Sequence, residues 1–163
     1  MINIQYFKPD FELHHFFDIT AEWLQTNKIK TIFSDLDSTL AIHDQPGGED
    51  LKVWIEMLKS QNVQLVIASN NSQGRVERFC KPFDIIGFGK CAKPLPNVLL
   101  KHMKEIGATS NTSIFLGDQL FTDIWCGKLL DMRTVLVKPI GMEHEPIQIV
   151  LKRKLEAVVR KRW

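Results

Sequence analysis

The sequence predicts a doubly wound α/β fold, a parallel sheet of about five strands with helices on both faces and no large cap domain. Three observations carry this. Short apolar, β-branched runs recur near residues 31–34, 63–69, 84–88, 113–116 and 134–137. Each is short for a helix and continuous enough to be a strand buried on both faces. Between them lie segments whose apolar residues repeat at three and four, the spacing of an amphipathic helix. Polar residues then gather just past the ends of the runs, where open parallel sheets place their ligands.

In order, residues 1–17 form an aromatic, irregular arm (Tyr6, Phe7, Phe11, Phe16, Phe17) expected to pack on the domain, since its large apolar groups would otherwise be wet. Asp18 or Thr20 caps a short helix to Gln25. The first strand follows at Thr31, and Pro46-Gly47-Gly48 marks a turn after it. Glu49 and Asp50 open a helix that carries Leu51, Trp54, Ile55 and Leu58 on one face, with Lys59 in its last turn suiting the helix dipole. A second strand runs from Val63 to Ser69, a helix from Gly74 to Lys81, and a third strand from Asp84 to Phe88. A loop centred on Lys93-Pro94 leads to a helix from about Pro96 that stops at Gly107. Strands at 113–116 and 134–137 flank a helix from Gln119 to Leu130. A last helix spans Pro146 to about Arg160, with Ile147, Val150, Leu151, Leu155 and Val158 expected to face the core.

A chain of 163 residues, 44% hydrophobic and 25% charged, suits one globular domain over residues 1–163. No apolar run approaches the ~18 residues of a membrane span, and the start lacks the basic region and cleavage site of a secretory leader. A cytoplasmic protein is expected. Cys80, Cys91 and Cys126 form no CxxC pair, which reads as reduced thiols and gives no zinc signature. The net charge of +2 is unevenly spread. Residues 151–163 carry Lys152, Arg153, Lys154, Arg160, Lys161 and Arg162 against the single acid Glu156, so the body is mildly acidic and the basic helix 146–163 ends the chain. These charges either complement the helix dipole or, with Trp163, touch an anionic membrane or RNA peripherally.

The chemistry centres on Asp35-Leu-Asp-Ser-Thr39. Two carboxylates two residues apart point the same way if strand geometry persists, and like charges that close repel unless a cation compensates. Asp35, Ser69 and Asp118 each end a strand, and Lys93 lies in the loop after the third. Four polar groups therefore converge on one edge of the sheet. Singly, each has an ordinary explanation as a cap, a loop residue or a solvated charge. No Gly-x-x-x-x-Gly-Lys loop is present to support a P-loop kinase or GTPase. His14-His15 are adjacent and without a partner. His43, in the turn after the first strand, is a candidate substrate contact.

Asp35-Leu-Asp-Ser-Thr, Ser69-Asn70, Lys93-Pro94 and Gly117-Asp118-Gln-Leu-Phe-Thr-Asp123 resemble, in order and spacing, the four motifs of the haloacid dehalogenase superfamily. Phe17-Asp-Ile-Thr20 and the Gly117–Asp123 string most resemble its YqeG-like branch, grouped with the phosphatidylglycerophosphate phosphatases. The resemblance implies a Mg²⁺-dependent phosphomonoesterase. Asp35 would be the nucleophile, passing through an aspartyl-phosphate, and Asp37 the general acid and base. Ser69, Asn70 and Lys93 would bind the phosphoryl group. Asp35, the Asp37 carbonyl and Asp118 would hold Mg²⁺, with Asp123 behind them steadying Lys93 or a metal-bound water. The 39–49 turn has room only for a flap, so the chain resembles the capless members, whose open site suits a bulky substrate: phosphatidylglycerophosphate first, then another small-molecule or protein phosphate. The alternatives are a non-enzymatic module of this fold that binds RNA or membrane, and a phosphoryl-accepting signalling domain.

Overall fold

The computed structural model describes residues 3–163, so the first two residues of the expected arm lie outside the described residues. A six-stranded sheet runs in the order β1-β6-β5-β2-β3-β4, every neighbouring pair parallel. The strands are β1 (Phe11–Glu12), β2 (Thr31–Ser34), β3 (Gln64–Ala68), β4 (Ile86–Phe88), β5 (Ser113–Gly117) and β6 (Arg133–Leu136). The helices are α1 (Ala21–Thr26), α2 (Glu49–Ser60), α3 (Gln73–Cys80), α4 (Asn97–Ile106), α5 (Trp125–Leu129) and α6 (Ile147–Arg160).

The doubly wound α/β class is as predicted, with one strand more. The extra strand lies in the supposedly irregular arm: Phe11 and Glu12 pair with Val135 and Leu136 at the sheet's edge. A two-residue strand has no periodicity to read, and long-range bonds define it. Leu13 donates its N–H to the Leu136 carbonyl at 2.9 Å, and Asp10 accepts the Thr134 N–H at 2.8 Å. Phe7 packs edge-on against Phe121 and Trp125, with ring centroids 5.2 and 5.0 Å away.

β2 is buried throughout, as a strand covered on both faces must be. Its alternation divides the core. Ile32 joins Leu65, Ile67 and Ile114 under α2 and α3. Phe33 joins Val66 and Phe115 under Leu99 and Met103 of α4 and Cys126 of α5. Trp54 is buried in the first layer and donates its indole N–H to the Ile19 carbonyl at 3.0 Å. Because β3 and β4 lie to one side of β2 and β5 and β6 to the other, the chain reverses direction at β2, and a crevice opens beyond its carboxyl end.

The last helix corrects an expectation. Ile147, Leu151, Leu155 and Val158, expected to face the core, are 65, 55, 61 and 53% exposed, and Val150 is half-buried. The inward side holds Arg153, the buried Glu156 and Val159 instead. The reason is the surface beneath. It presents the Asp118 carboxylate and carbonyl and the Phe121 N–H, which Arg153 and Glu156 satisfy, and a buried polar group without a partner costs about 1–3 kcal/mol. Trp163 is also drawn inward, packing with Val159 against the cluster of Phe7, Leu120 and Ile124.

Candidate active site

β2 ends at Ser34, and the Asp35 N–H continues the ladder to the Leu116 carbonyl at 2.9 Å. Strand geometry then stops: Ser38 takes a left-handed conformation (φ +65°), and Asp37 forms only an isolated bridge with Ala41. The two carboxylates, expected to point together, therefore separate. Asp35 turns to Lys93, whose Nζ is 3.1 Å from its Oδ1. Asp37 turns to Arg75, whose Nη2 is 3.0 Å from its Oδ1, and accepts from the Asp44 N–H at 2.9 Å and from Asn71 Nδ2 at 3.2 Å.

The separation sets different electrostatics. Burial, then the Asp123 and Asp118 carboxylates against the pull of Lys93, hold the Asp35 carboxyl well above its usual range. Burial also opposes ionisation of Asp37, but the Asp44 N–H, Arg75 and Asn71 outweigh it and hold that carboxyl below its usual range.

Lys93 comes from the loop between β4 and α4, where Lys90 and Ala92 have φ of +50° and +57° and the Lys93-Pro94 peptide is cis. Asn70 fastens this loop: its Oδ1 accepts the Lys93 N–H at 2.7 Å and its Nδ2 donates to the Lys93 carbonyl at 2.9 Å. Its side-chain amide thus spends an acceptor and a donor on the loop that carries Lys93. Buried Ser69 accepts the Asn71 N–H at 3.0 Å, which leaves its own proton to donate. Lys93 Nζ also donates to Asp123 Oδ1 at 2.7 Å. Burial disfavours the ammonium, but Asp123 and Asp35 more than offset it and raise its pKa further.

Asp123 reaches this position because the expected single helix over 119–130 opens differently. Residues Leu120–Ile124 form a wide π-type turn before α5, with the N–H groups of Asp123 and Ile124 both donating to the Gln119 carbonyl. Asp123 Oδ2 folds back to accept the N–H groups of Asp118 and Gln119 at 3.2 and 3.1 Å. Gly117 permits this, since any Cβ there would collide with the Asp123 side chain.

Asp118 is buried between Thr39, whose hydroxyl donates to Oδ1 at 2.6 Å, and Arg153, whose Nη2 donates to Oδ2. Burial and Asp123 raise its pKa to about 6 against the pull of Arg153. Arg153 is gripped in turn by Glu145. Sequence reasoning missed Arg153 and Arg75. Its place among the six basic residues of 152–162 masked the first, and nothing in the spacing singles out the second.

One oxygen each from Asp35, Asp118 and Asp123 lie within 4.8 Å of one another. Three buried carboxylates face two cations here, Lys93 and Arg153, and hard oxygen donors with negative charge to spare fit a divalent ion. Asp123, expected behind the metal, thus stands in the carboxylate cluster, while the Asp37 carboxylate stands outside it. A cleft of about 240 Å³ is lined by Asp35, Asp37, Ser69, Asn70 and Lys93 together with His43, Asn71 and, from α6, Ile149 and Lys152. Asp118 is reached instead from a larger cavity of about 390 Å³ under α6, which holds none of the other predicted residues.

At the switch point of an α/β fold, a carboxylate cluster beside a buried lysine makes a site suited to a charged substrate and a hard cation. Residues 9–137 match the haloacid dehalogenase-like hydrolases. The chain belongs to that family. It is 31% identical over 162 residues to the probable phosphatase YqeG of Bacillus subtilis, covering 96% of this chain and 94% of that protein. A 60-residue stretch is 40% identical to phosphatidylglycerophosphate phosphatase 1, chloroplastic/mitochondrial, of Arabidopsis thaliana, spanning 37% of this chain and 17% of that one. Among solved structures, 3-deoxy-D-manno-octulosonate 8-phosphate phosphatase from Moraxella catarrhalis, in complex with magnesium, phosphate and its sugar, shares the fold at a TM-score of 0.54 and 17% identity, over 90% of this chain and 92% of that one.

Proposed function

We propose that the protein is a Mg²⁺-dependent phosphomonoesterase that works through an aspartyl-phosphate on Asp35. The observation that carries this reading is the buried Asp35 carboxylate, 3.1 Å from Lys93 Nζ and in one cluster with Asp118 and Asp123. Asp35 attacks phosphorus, the P–O bond to the leaving group breaks, and the leaving oxygen takes a proton from Asp37. Water then attacks the acyl phosphate and Asp37, ionised by that first transfer, accepts its proton; the Asp44 N–H and Arg75 favour this ionised form, whereas the first step draws on the protonated one. Lys93 and the Ser69 hydroxyl receive the phosphoryl oxygens, and Asn70 keeps Lys93 in register. Asp35, the Asp37 carbonyl and Asp118 would hold the ion, and Asp123 fixes Lys93. Bound Mg²⁺ supplies charge neutralisation for the phosphoryl oxygens.

For the substrate we propose phosphatidylglycerophosphate, supported by the likeness to the YqeG and Arabidopsis proteins and by a cleft with no cap domain above it. An anionic surface would suit the basic end of the chain, and a cytoplasmic protein acting at that surface fits both features. The experiment is turnover of an aryl phosphate and of the detergent-dispersed lipid, with and without EDTA. Asp35→Asn is expected to lose both activities, and full turnover by that variant sinks the nucleophile assignment. Activity on the aryl phosphate with none on the lipid sinks the substrate alone.

A further inference from the structure

Among the described residues, no helix but α6 exposes four large aliphatic side chains. Ile147, Leu151, Leu155 and Val158 lie more than half exposed, and at 100° per residue they form one continuous stripe. Lys154, exposed, falls within about a quarter turn of its centre and Lys152 lies on its flank, while the exposed Lys161 and Arg162 follow directly after the helix's last residue. The helix has one acid, Glu156, and that side chain is buried on the opposite side against the Phe121 N–H. The inner side is already fastened by Arg153 to Asp118, by Arg160 to Glu12 at 3.0 Å, and by Val159 in the Phe7 cluster. The stripe can thus be covered without unseating the helix.

We propose that this stripe docks on an anionic lipid surface. Apolar residues ringed by lysine and arginine with no exposed acid among them match the boundary between acyl chains and negative headgroups, the basic side chains reaching to the phosphates while the leucines enter. A nucleic acid offers the charge but no apolar surface for four aliphatic side chains. A second copy of the chain offers the apolar surface, but a twofold contact through the stripe sets one basic rim against the other. The placement deepens the lipid-phosphate reading and takes its purpose from it. Ile149 and Lys152 of the same helix line the cleft that holds Asp35 and Lys93, so docking α6 brings the mouth of the site beside the headgroups.

The test is flotation of the purified protein with vesicles of equal parts phosphatidylglycerol and phosphatidylcholine, against pure phosphatidylcholine. The wild type is expected to float with the anionic vesicles only and to be released by high salt. Leu151→Asp with Leu155→Asp is expected to weaken that binding by about tenfold or more while leaving aryl phosphate turnover unchanged, which shows that fold and site are intact. Binding without turnover of the lipid phosphate supports the docking and overturns the substrate reading alone. Turnover of the dispersed lipid with no vesicle binding overturns the docking alone. Vesicle binding unchanged in the double variant overturns the docking too. So does a wild-type dimer, or retention on RNA, that the double variant abolishes in a protein that never floats.

Discussion

On the sheet side of Asp118, Lys93 reaches Asp35 at 3.1 Å and Asp123 at 2.7 Å, partners delivered from the end of β2 and from the π-type turn that follows β5. On the helix side, Arg153 reaches Asp118 and Glu145 from α6, whose Ile147, Leu151, Leu155 and Val158 face solvent. Both regions bury a cation among carboxylates. The first is fixed by the sheet: parallel register sets the neighbours, the switch point sets the crevice, and the motif residues have nowhere else to go. The second is fixed by the first, because α6 turns its charges inward to satisfy what the sheet leaves unpaired. The orientation of α6 goes with the buried partners beneath it, Asp118 and the Phe121 N–H, rather than with the helix's own apolar pattern.

Breaking the sheet-side cluster should have the largest effect. Lys93→Met removes the charge that faces both Asp35 and Asp123, and should lower kcat on an aryl phosphate by roughly 10²–10³. Because it also strands two buried carboxylates, denaturant unfolding should show a loss on the order of 3–5 kcal/mol. Arg153→Met tests the helix side. Asp118 keeps the Thr39 hydroxyl at 2.6 Å, and the Arg153 side chain is partly exposed, so a smaller loss of about 2–3 kcal/mol is expected. An equal or larger loss would mean that the two regions are not ranked as described. Gly117→Ala strikes between them, driving a methyl into Asp123, and should cost about 1–3 kcal/mol with activity falling in step.

The difference between the regions is also the difference in what could be read from the sequence. Thr31–Ser34, Gln64–Ala68 and Ser113–Gly117 announce themselves as buried parallel strands, and the residues that end them, Asp35, Ser69 and Asp118, are legible once the strands are. Lys93 and Asp123 follow from the resemblance of their motifs. The divergence of Asp35 from Asp37 was not legible, because it depends on Arg75, 38 residues on, and on the left-handed Ser38. Nor was the β1 strand, whose two residues carry no period. Periodicity did locate α6, and even its apolar stripe, but periodicity gives a face and not the direction it points. Direction follows from partners on other elements, the Asp118 carboxylate and carbonyl and the Phe121 N–H.

Glu156 carries a pH-dependent version of the comparison. Its pKa is raised to about 7, burial outweighing the Phe121 N–H and Arg153. Its folded pKa lies above its unfolded value, so the native state binds the proton more tightly, and stability falls as pH rises from about 4.5 to about 7. Glu156→Gln removes that ionisation. The variant should match the wild type near pH 4.5 and exceed it at pH 8 by on the order of 1–3 kcal/mol, seen in denaturant unfolding at the two pH values. A gap of equal size at both would show that the buried side of α6 stores no ionisation cost.

Leu155→Gln should have the smallest effect, and its smallness is the point. If α6 presented its stripe to the core, losing Leu155 would cost what a core leucine costs, about 2–5 kcal/mol for truncation, as expected for Leu58→Ala in α2. With Leu155 61% exposed, the folded state gives up almost nothing, and the change in unfolding free energy should stay within about 0.5 kcal/mol. The two substitutions measured side by side therefore read the orientation of α6 without reference to ligand or activity. A large loss at Leu155 would return the helix to the orientation its sequence pattern suggests and would remove Arg153 from Asp118. A null effect leaves the stripe where an outside surface can reach it.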